Sequence, residues 1–175
     1  MNRRAKQLIL ACSVPLLILL GMCFTPLYTL LTGEEVILRT MPVDPSDVFR
    51  GDYVALRYEA EEVPKSLVEE KVISKVVGEH RSSAVYVVLK EKNGIYTPTK
   101  VTLDKPVRGI YLKGVLNYIG TNMNGNEVAY IKYSMDKYFV EDNTGSAWEK
   151  ASTNGEILAK VKVKNGYAIL IGITK

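Results

Sequence analysis

Residues 84–103 read Ala-Val-Tyr-Val-Val-Leu-Lys-Glu-Lys-Asn-Gly-Ile-Tyr-Thr-Pro-Thr-Lys-Val-Thr-Leu, and this stretch decides the fold class. Residues 84–90 and 95–103 are rich in β-branched and aromatic side chains, which suit a pleated, half-buried surface. The link between them ends in Asn93-Gly94, a pair that adopts positive φ readily, so the two runs fold back as a tight hairpin. The pattern recurs near the C-terminus, where residues 156–163 and 167–173 flank Lys164-Asn165-Gly166. Residues 109–118 and 127–135 make another pair across the polar loop 120–126. Upstream, residues 35–40 are short and β-branched. In residues 51–59, Val54, Leu56 and Tyr58 alternate with Tyr53, Ala55 and Arg57, the period-two signature of a strand with one buried face. Roughly eight strands at hairpin spacing predict a mainly β domain, an antiparallel barrel or sandwich, over residues 34–175.

One or two short helices interrupt this pattern. Leu67, Val68, Val72, Ile73, Val76 and Val77 recur at helical spacing, with Lys65, Glu69, Glu70 and Lys75 between them, so an amphipathic helix is expected over residues 64–78. Trp148 and Ala151 could form the apolar side of a second, beginning near Asn143 or Thr144. Residues 41–47, with Pro42, Pro45, Asp44 and Asp47, form a turn-dense loop in which Ser46 or Asp47 can cap a helical turn through Phe49.

Preceding the β domain is a stretch of another kind. No charged residue occurs from Gln7 to Gly33, and all 19 acidic residues lie at or after Glu34. Residues 8–31 would make a helix of roughly 36 Å at ~1.5 Å per residue, enough to cross a hydrocarbon core ~30 Å thick. A lone segment in lipid must pair its backbone internally, so it must be helical. Pro15 and Pro26 each remove one donor, and Pro26 is expected to kink the helix or mark its exit from the bilayer. Arg3, Arg4 and Lys6 precede the span, while Glu34 and Glu35 follow it. Basic flanks stay inside. This predicts a cytoplasmic segment 1–7, a single transmembrane anchor 8–31 in the lipid bilayer of the cell membrane, and an extracytoplasmic domain 34–175. A cleaved signal peptide would have an apolar core of ~7–15 residues and small residues at its exit. Here the core is longer and leaves through Tyr28-Thr29-Leu30-Leu31-Thr32-Gly33. Lipoprotein processing at Cys23 would need a small residue where Met22 stands.

Both cysteines, Cys12 and Cys23, belong to the anchor, three helical turns apart on one face and too distant to bridge. They read as small apolar side chains facing lipid or another helix. The external domain has no cysteine and is held by its core alone. The three basic residues before the anchor also account for most of the net charge. Without them, 20 basic residues face 19 acidic ones, which leaves no basic excess for nucleic acid. With His80 as the single histidine, neither a zinc site of histidine–thiolate type nor a Ser-His-Asp triad is expected. Gly51 and Gly94 are isolated turn glycines and form no phosphate loop. No cofactor, metal site or catalytic residue is expected.

Gly51-Asp52-Tyr53-Val54-Ala55-Leu56-Arg57-Tyr58 matches, letter for letter, the pattern Gly-Asp-Tyr-x-x-Leu-x-Tyr that gives the GDYXXLXY protein family its name. The lead-in, Pro42-Val43-Asp44-Pro45-x-Asp47-x-x-Arg50, also resembles that family. Tyr138-Phe139-Val140-Glu141, with Gly145 and Glu149 after it, is similar to a second family region, although Asp142 stands where a glycine is expected. The resemblance covers nearly the whole chain. It implies a bacterial, membrane-anchored protein of unestablished activity, accessory to a polytopic membrane protein.

Two readings of the motif follow from its residues. As framework, Gly51 takes a positive φ, Asp52 accepts backbone N–H bonds across the turn, and Tyr53 and Tyr58 pack as cross-strand aromatics. As a recognition surface, Arg50, Asp52, Tyr53, Arg57 and Tyr58, with Tyr138 and Glu141, grip a peptide, glycan or partner loop, tyrosine and arginine being enriched at binding hot spots. The expected function is a non-enzymatic accessory or binding domain that assists a membrane or envelope component. The alternative is an extracytoplasmic hydrolase with Asp52 and Glu141 facing each other across ~5–10 Å. It could also be a degenerate relative of the type I signal peptidase barrel, whose entry the Gly-Asp region resembles. The nucleophilic serine of those enzymes lies eight residues before the Gly-Asp, and that position here is Val43.

Overall fold

The computed structural model describes residues 3–42, 53–79, 81–139, 151 and 157–174. Helix α1 (Arg3–Thr32) runs through both Pro15 and Pro26. It continues a further turn and a half beyond Pro26, so that proline does not end it. The segment Leu10–Thr32 has a mean hydropathy of 2.1, and its side chains are almost all exposed, Cys12 and Cys23 included. Such a helix is long and apolar enough to cross a bilayer.

One residue, Gly33, separates α1 from strand β1 (Glu34–Met41). Its N–H donates to the Thr29 carbonyl at 2.8 Å, extending the helical bonding to the junction. A β-carbon there would overlap the Thr29 carbonyl oxygen and crowd the backbone N and O of Val163, each 3.2 Å away. Glycine is required at this position by close backbone approach. The Lys162 ammonium adds a bond to the Gly33 carbonyl at 3.2 Å.

The remaining strands are β2 (Tyr53–Ala55), β3 (Arg57–Tyr58), β4 (Glu62–Pro64), β5 (Ser83–Lys92), β6 (Ile95–Thr102), β7 (Ile110–Thr121), β8 (Glu127–Lys132), β9 (Lys137–Phe139), β10 (Leu158–Lys164) and β11 (Tyr167–Thr174). The fold is mainly β, and its sheets are antiparallel and curled. One sheet has the order β11-β10-β1-β3 and another β4-β8-β7-β5-β6, while β2 and β9 form a two-stranded ribbon. In the first, β1 lies along β10 from Glu34↔Val163 to Arg39↔Leu158. The two large sheets enclose one core. Val36, Leu38, Val161 and Ile157 come from one side and Val85, Val87, Leu112, Leu116 and Ile131 from the other, all essentially inaccessible.

Both Asn-Gly turns have the predicted geometry. Asn93 and Gly94 take φ of 55° and 81°, and Asn165 and Gly166 take 52° and 83°, the doubly positive pair of a two-residue hairpin whose twist matches its strands. The second turn also joins the sheets, since Lys113 N–H donates to the Gly166 carbonyl at 2.8 Å. In the polar loop after β7, the Asn122 side-chain oxygen accepts the N–H groups of Asn124 and Asn126, each at 3.0 Å.

Several boundaries differ from the sequence expectation. Helix α2 spans Glu70–Glu79 rather than 64–78. Pro64 ends β4, and Lys65–Leu67 is a 3-10 turn. The reason is a competing partner: Val68 bridges to Val101, and Glu69 N–H donates to the Val101 carbonyl at 3.0 Å, holding the chain extended until the helix can start. Val72 and Val76 then face the core, whereas Val77 is exposed. The single strand expected over 51–59 is two, broken at Leu56. The expected loop at 41–47 and the short helix around Trp148 fall mostly outside the described residues, although Ala151 is helical and buried.

Candidate functional site

The family motif lies where the chain passes from one sheet to another. β2 pairs with β9 through Tyr53↔Phe139, Val54↔Tyr138 and Ala55↔Lys137. The bonding continues as Leu56 N–H donates to the Asp136 carbonyl at 2.9 Å. Two residues on, β3 has joined β1, with Tyr58 opposite Thr40 and Arg57 opposite Met41. Six consecutive residues thus connect the β9 ribbon to the β1 sheet. The two regions that resemble the family, far apart in sequence, are brought side by side.

Alternation decides which side chains turn inward. Leu56 and Tyr58 are buried, and Ala55 and Arg57, which alternate with them, are half-buried. Tyr58 is 0% exposed, and its hydroxyl donates to the Met135 carbonyl at 2.6 Å. Nearby, the equally buried Tyr133 donates to the Ala60 carbonyl at 2.9 Å. A phenol can enter an apolar core only if its hydroxyl finds such a partner. Burial pushes the Tyr58 hydroxyl far above the usual phenol range, and the charges of Glu61 and Asp136 push it further. Burial and Glu61 do the same to Tyr133. Both remain protonated donors.

Tyr58 is therefore framework and contributes nothing to a surface. It also faces Thr40 rather than an aromatic across the strands, because β3 leaves the ribbon before a ring pair can form. Tyr53 does stand opposite an aromatic residue, Phe139. Arg57 is partly exposed and donates from Nη2 to Glu62 Oε1 at 2.8 Å, closing the 3-10 turn at Glu59–Glu61 that leads into β4. Tyr138 is half-buried and packs against the core, while Phe139 is 75% exposed. Arg50, Asp52 and Glu141 lie outside the described residues, as does His80, so the carboxylate pair of the hydrolase alternative has no described geometry. Among the described residues no three His, Cys, Asp or Glu side chains are grouped as metal ligands.

Sequence reasoning overlooked Glu61. Its carboxyl is pushed up to about 7, first by burial and then by Asp136, against the lowering effects of a Tyr58 backbone hydrogen bond and the Arg57 and Lys132 charges. The sequence shows only three acids in the run Glu59-Ala60-Glu61-Glu62 before the buried Val63, and nothing in that run marks which of the three burial will shift. An acid whose folded pKa exceeds its unfolded value of 4.5 binds its proton more tightly in the folded state. Its contribution to stability is full below pH 4.5, declines as pH rises towards about 7, and then levels off. Denaturant titrations across this window are expected to show that decline in the native protein. The Glu61→Gln variant should show a smaller one and be the more stable of the two at pH 8.

Comparison with curated proteins and with solved structures finds no match. The profile described as GDYXXLXY protein matches residues 15–173, from the middle of α1 to the penultimate residue of β11. With the motif strand, the ribbon partner and both large sheets inside that span, the chain belongs to the GDYXXLXY protein family.

Proposed function

We propose that the protein is a membrane-tethered binding domain without catalytic activity, which assists a polytopic membrane protein or another envelope component. In this reading α1 is an uncleaved anchor, with residues 1–7 in the cytoplasm and the β domain on the other side. The recognition surface is the β2–β9 ribbon with its flanks: Tyr53, Tyr138 and Phe139 on the strands, Arg57 beside them, and Arg50, Asp52 and Glu141 in the adjoining segments.

The observation that carries this reading is the ribbon itself. Tyr53↔Phe139 pairing joins the family's defining motif to its second region on a two-stranded element outside both large sheets. Phe139 displays an aromatic ring at its end, and aromatic anchors beside arginine are the usual composition of a binding hot spot. The one-residue junction to α1 supports a partner in the same bilayer, since it keeps the domain close to the membrane.

The test is crosslinking in intact membranes from a photoreactive residue placed at Lys137 on β9. A discrete partner band is expected, strongly reduced by Tyr53→Ala or Phe139→Ser while the melting temperature of the purified variants stays that of the native protein. A native protein that crosslinks to nothing, or variants that crosslink undiminished, would overturn the assignment.

A further inference from the structure

A cavity of about 400 Å³ opens beside the exit of α1, lined by Glu34, Lys105, Val107, Arg108, Tyr111 and Lys164 among others. Its position is set by one connection along the chain and one contact. Glu34 is the second residue after the helix, and the Lys164 ammonium lies over the Tyr28 ring, 6.0 Å from its centroid. Tyr28 is one turn before the helix end, about 6 Å back along its axis. The turn between β10 and β11 therefore sits level with the last helical turn. If α1 spans a bilayer, Tyr28 and Lys164 occupy the headgroup layer, where tyrosine and lysine place an apolar body in the membrane and a polar tip in water.

The cavity walls then have a consistent meaning. Three cations, Lys105, Arg108 and Lys164, face it against one carboxylate, Glu34. Among the described residues Lys105 and Arg108 form no salt bridge, whereas Lys160, further along β10, is engaged by Glu35 at 3.3 Å. Between Lys105 and Arg108 the chain raises Val107, 96% exposed. A single exposed valine is ordinary on a protein surface. Here it stands between two cations that form no salt bridge among the described residues and beside the exit of an apolar helix, an arrangement that suits a membrane surface. At a membrane surface it inserts among acyl chains while its neighbours hold an anion.

We infer that this cavity binds the phosphate of an anionic phospholipid, with Lys105, Arg108 and Lys164 around the headgroup and Val107 reaching into the lipid. The inference rests on the anchor reading of α1. Phosphate is the chemistry recognised, and the bilayer is its source. Glu34, across from the cations, limits affinity, so the site is suited to exchange with surrounding lipid rather than permanent retention.

The full chain would be reconstituted in nanodiscs of equal phosphatidylglycerol and phosphatidylcholine, released, and weighed by native mass spectrometry with its retained lipid. A preference for phosphatidylglycerol is expected. Lys105→Gln with Arg108→Gln should reduce it about fivefold per charge removed, the equivalent of ~1 kcal/mol each near an anionic surface. Glu34→Gln should raise it. A double variant that retains phosphatidylglycerol as the native chain does overturns the site, provided α1 resists extraction by alkaline carbonate. Extraction by carbonate overturns the anchor and the site together. Competition by millimolar inorganic phosphate that removes the preference overturns the lipid as the source.

Discussion

Tyr58→Ala is expected to cost about 3–5 kcal/mol, the range for removing a buried aromatic side chain, in a domain whose total stability is of order 5–15 kcal/mol. The ring is wholly buried and its hydroxyl is bonded to the Met135 carbonyl. Truncation therefore opens a cavity where β3, β1 and the segment before β9 meet, and it strands a carbonyl. Tyr58→Phe separates the two effects. It keeps the packing and loses only the bond, for roughly 1–3 kcal/mol if the acceptor stays unsatisfied. Denaturant unfolding of the full chain in detergent, followed by circular dichroism, measures both. The comparison with Tyr53→Ala matters for function. These two tyrosines stand at fixed positions of one motif, yet loss of Tyr58 should destabilise the fold, whereas loss of Tyr53 should, on the proposed function, leave the fold intact and weaken crosslinking to a partner.

The second large effect is expected at Gly33. Gly33→Val places a branched side chain against the Thr29 carbonyl and the Val163 backbone, none of which can rotate away as a side chain would. Overpacking of this kind costs roughly 1–3 kcal/mol. It acts where Glu34 pairs with Val163 at the start of the β1–β10 ladder. A lowered melting temperature is expected, together with new protease cleavage between α1 and β1. Gly33→Ala should move both in the same direction by less. An unchanged melting temperature and an uncleaved junction for Gly33→Val would mean that α1 and the sheet are not packed as described.

Local chemistry made most of this fold legible. Asn93-Gly94 and Asn165-Gly166 announced their hairpins because positive φ is a property of the turn residues themselves. The charge-free stretch announced α1 for a similar reason. What stayed hidden depends on partners distant in sequence. The start of α2 is delayed by Val101, the motif strand breaks at Leu56 because its two partners, β9 and β1, belong to different sheets, and β4 and β9 are three-residue strands with no pattern of their own. For the candidate site, the period-two pattern placed Leu56 and Tyr58 on one face correctly. It could not say that this face is the core, because only the Met135 and Thr40 contacts make it so. Glu61 was illegible because its raised pKa comes from burial that a turn sequence does not encode.

The pairing of β1 with β10 has a consequence for how the protein is made. β1 follows α1 directly, so during synthesis it emerges before every other strand, yet its main ladder runs against Leu158–Lys164, almost the last strand to appear. Contacts so distant in sequence form late and slowly. Until β10 arrives, β1 carries the buried Val36 and Leu38 without their cover, close to where the chain leaves its helix. A nascent chain of this kind needs protection for its first strand throughout elongation. A truncation that removes β10 and β11 should leave an aggregating remnant rather than a smaller domain.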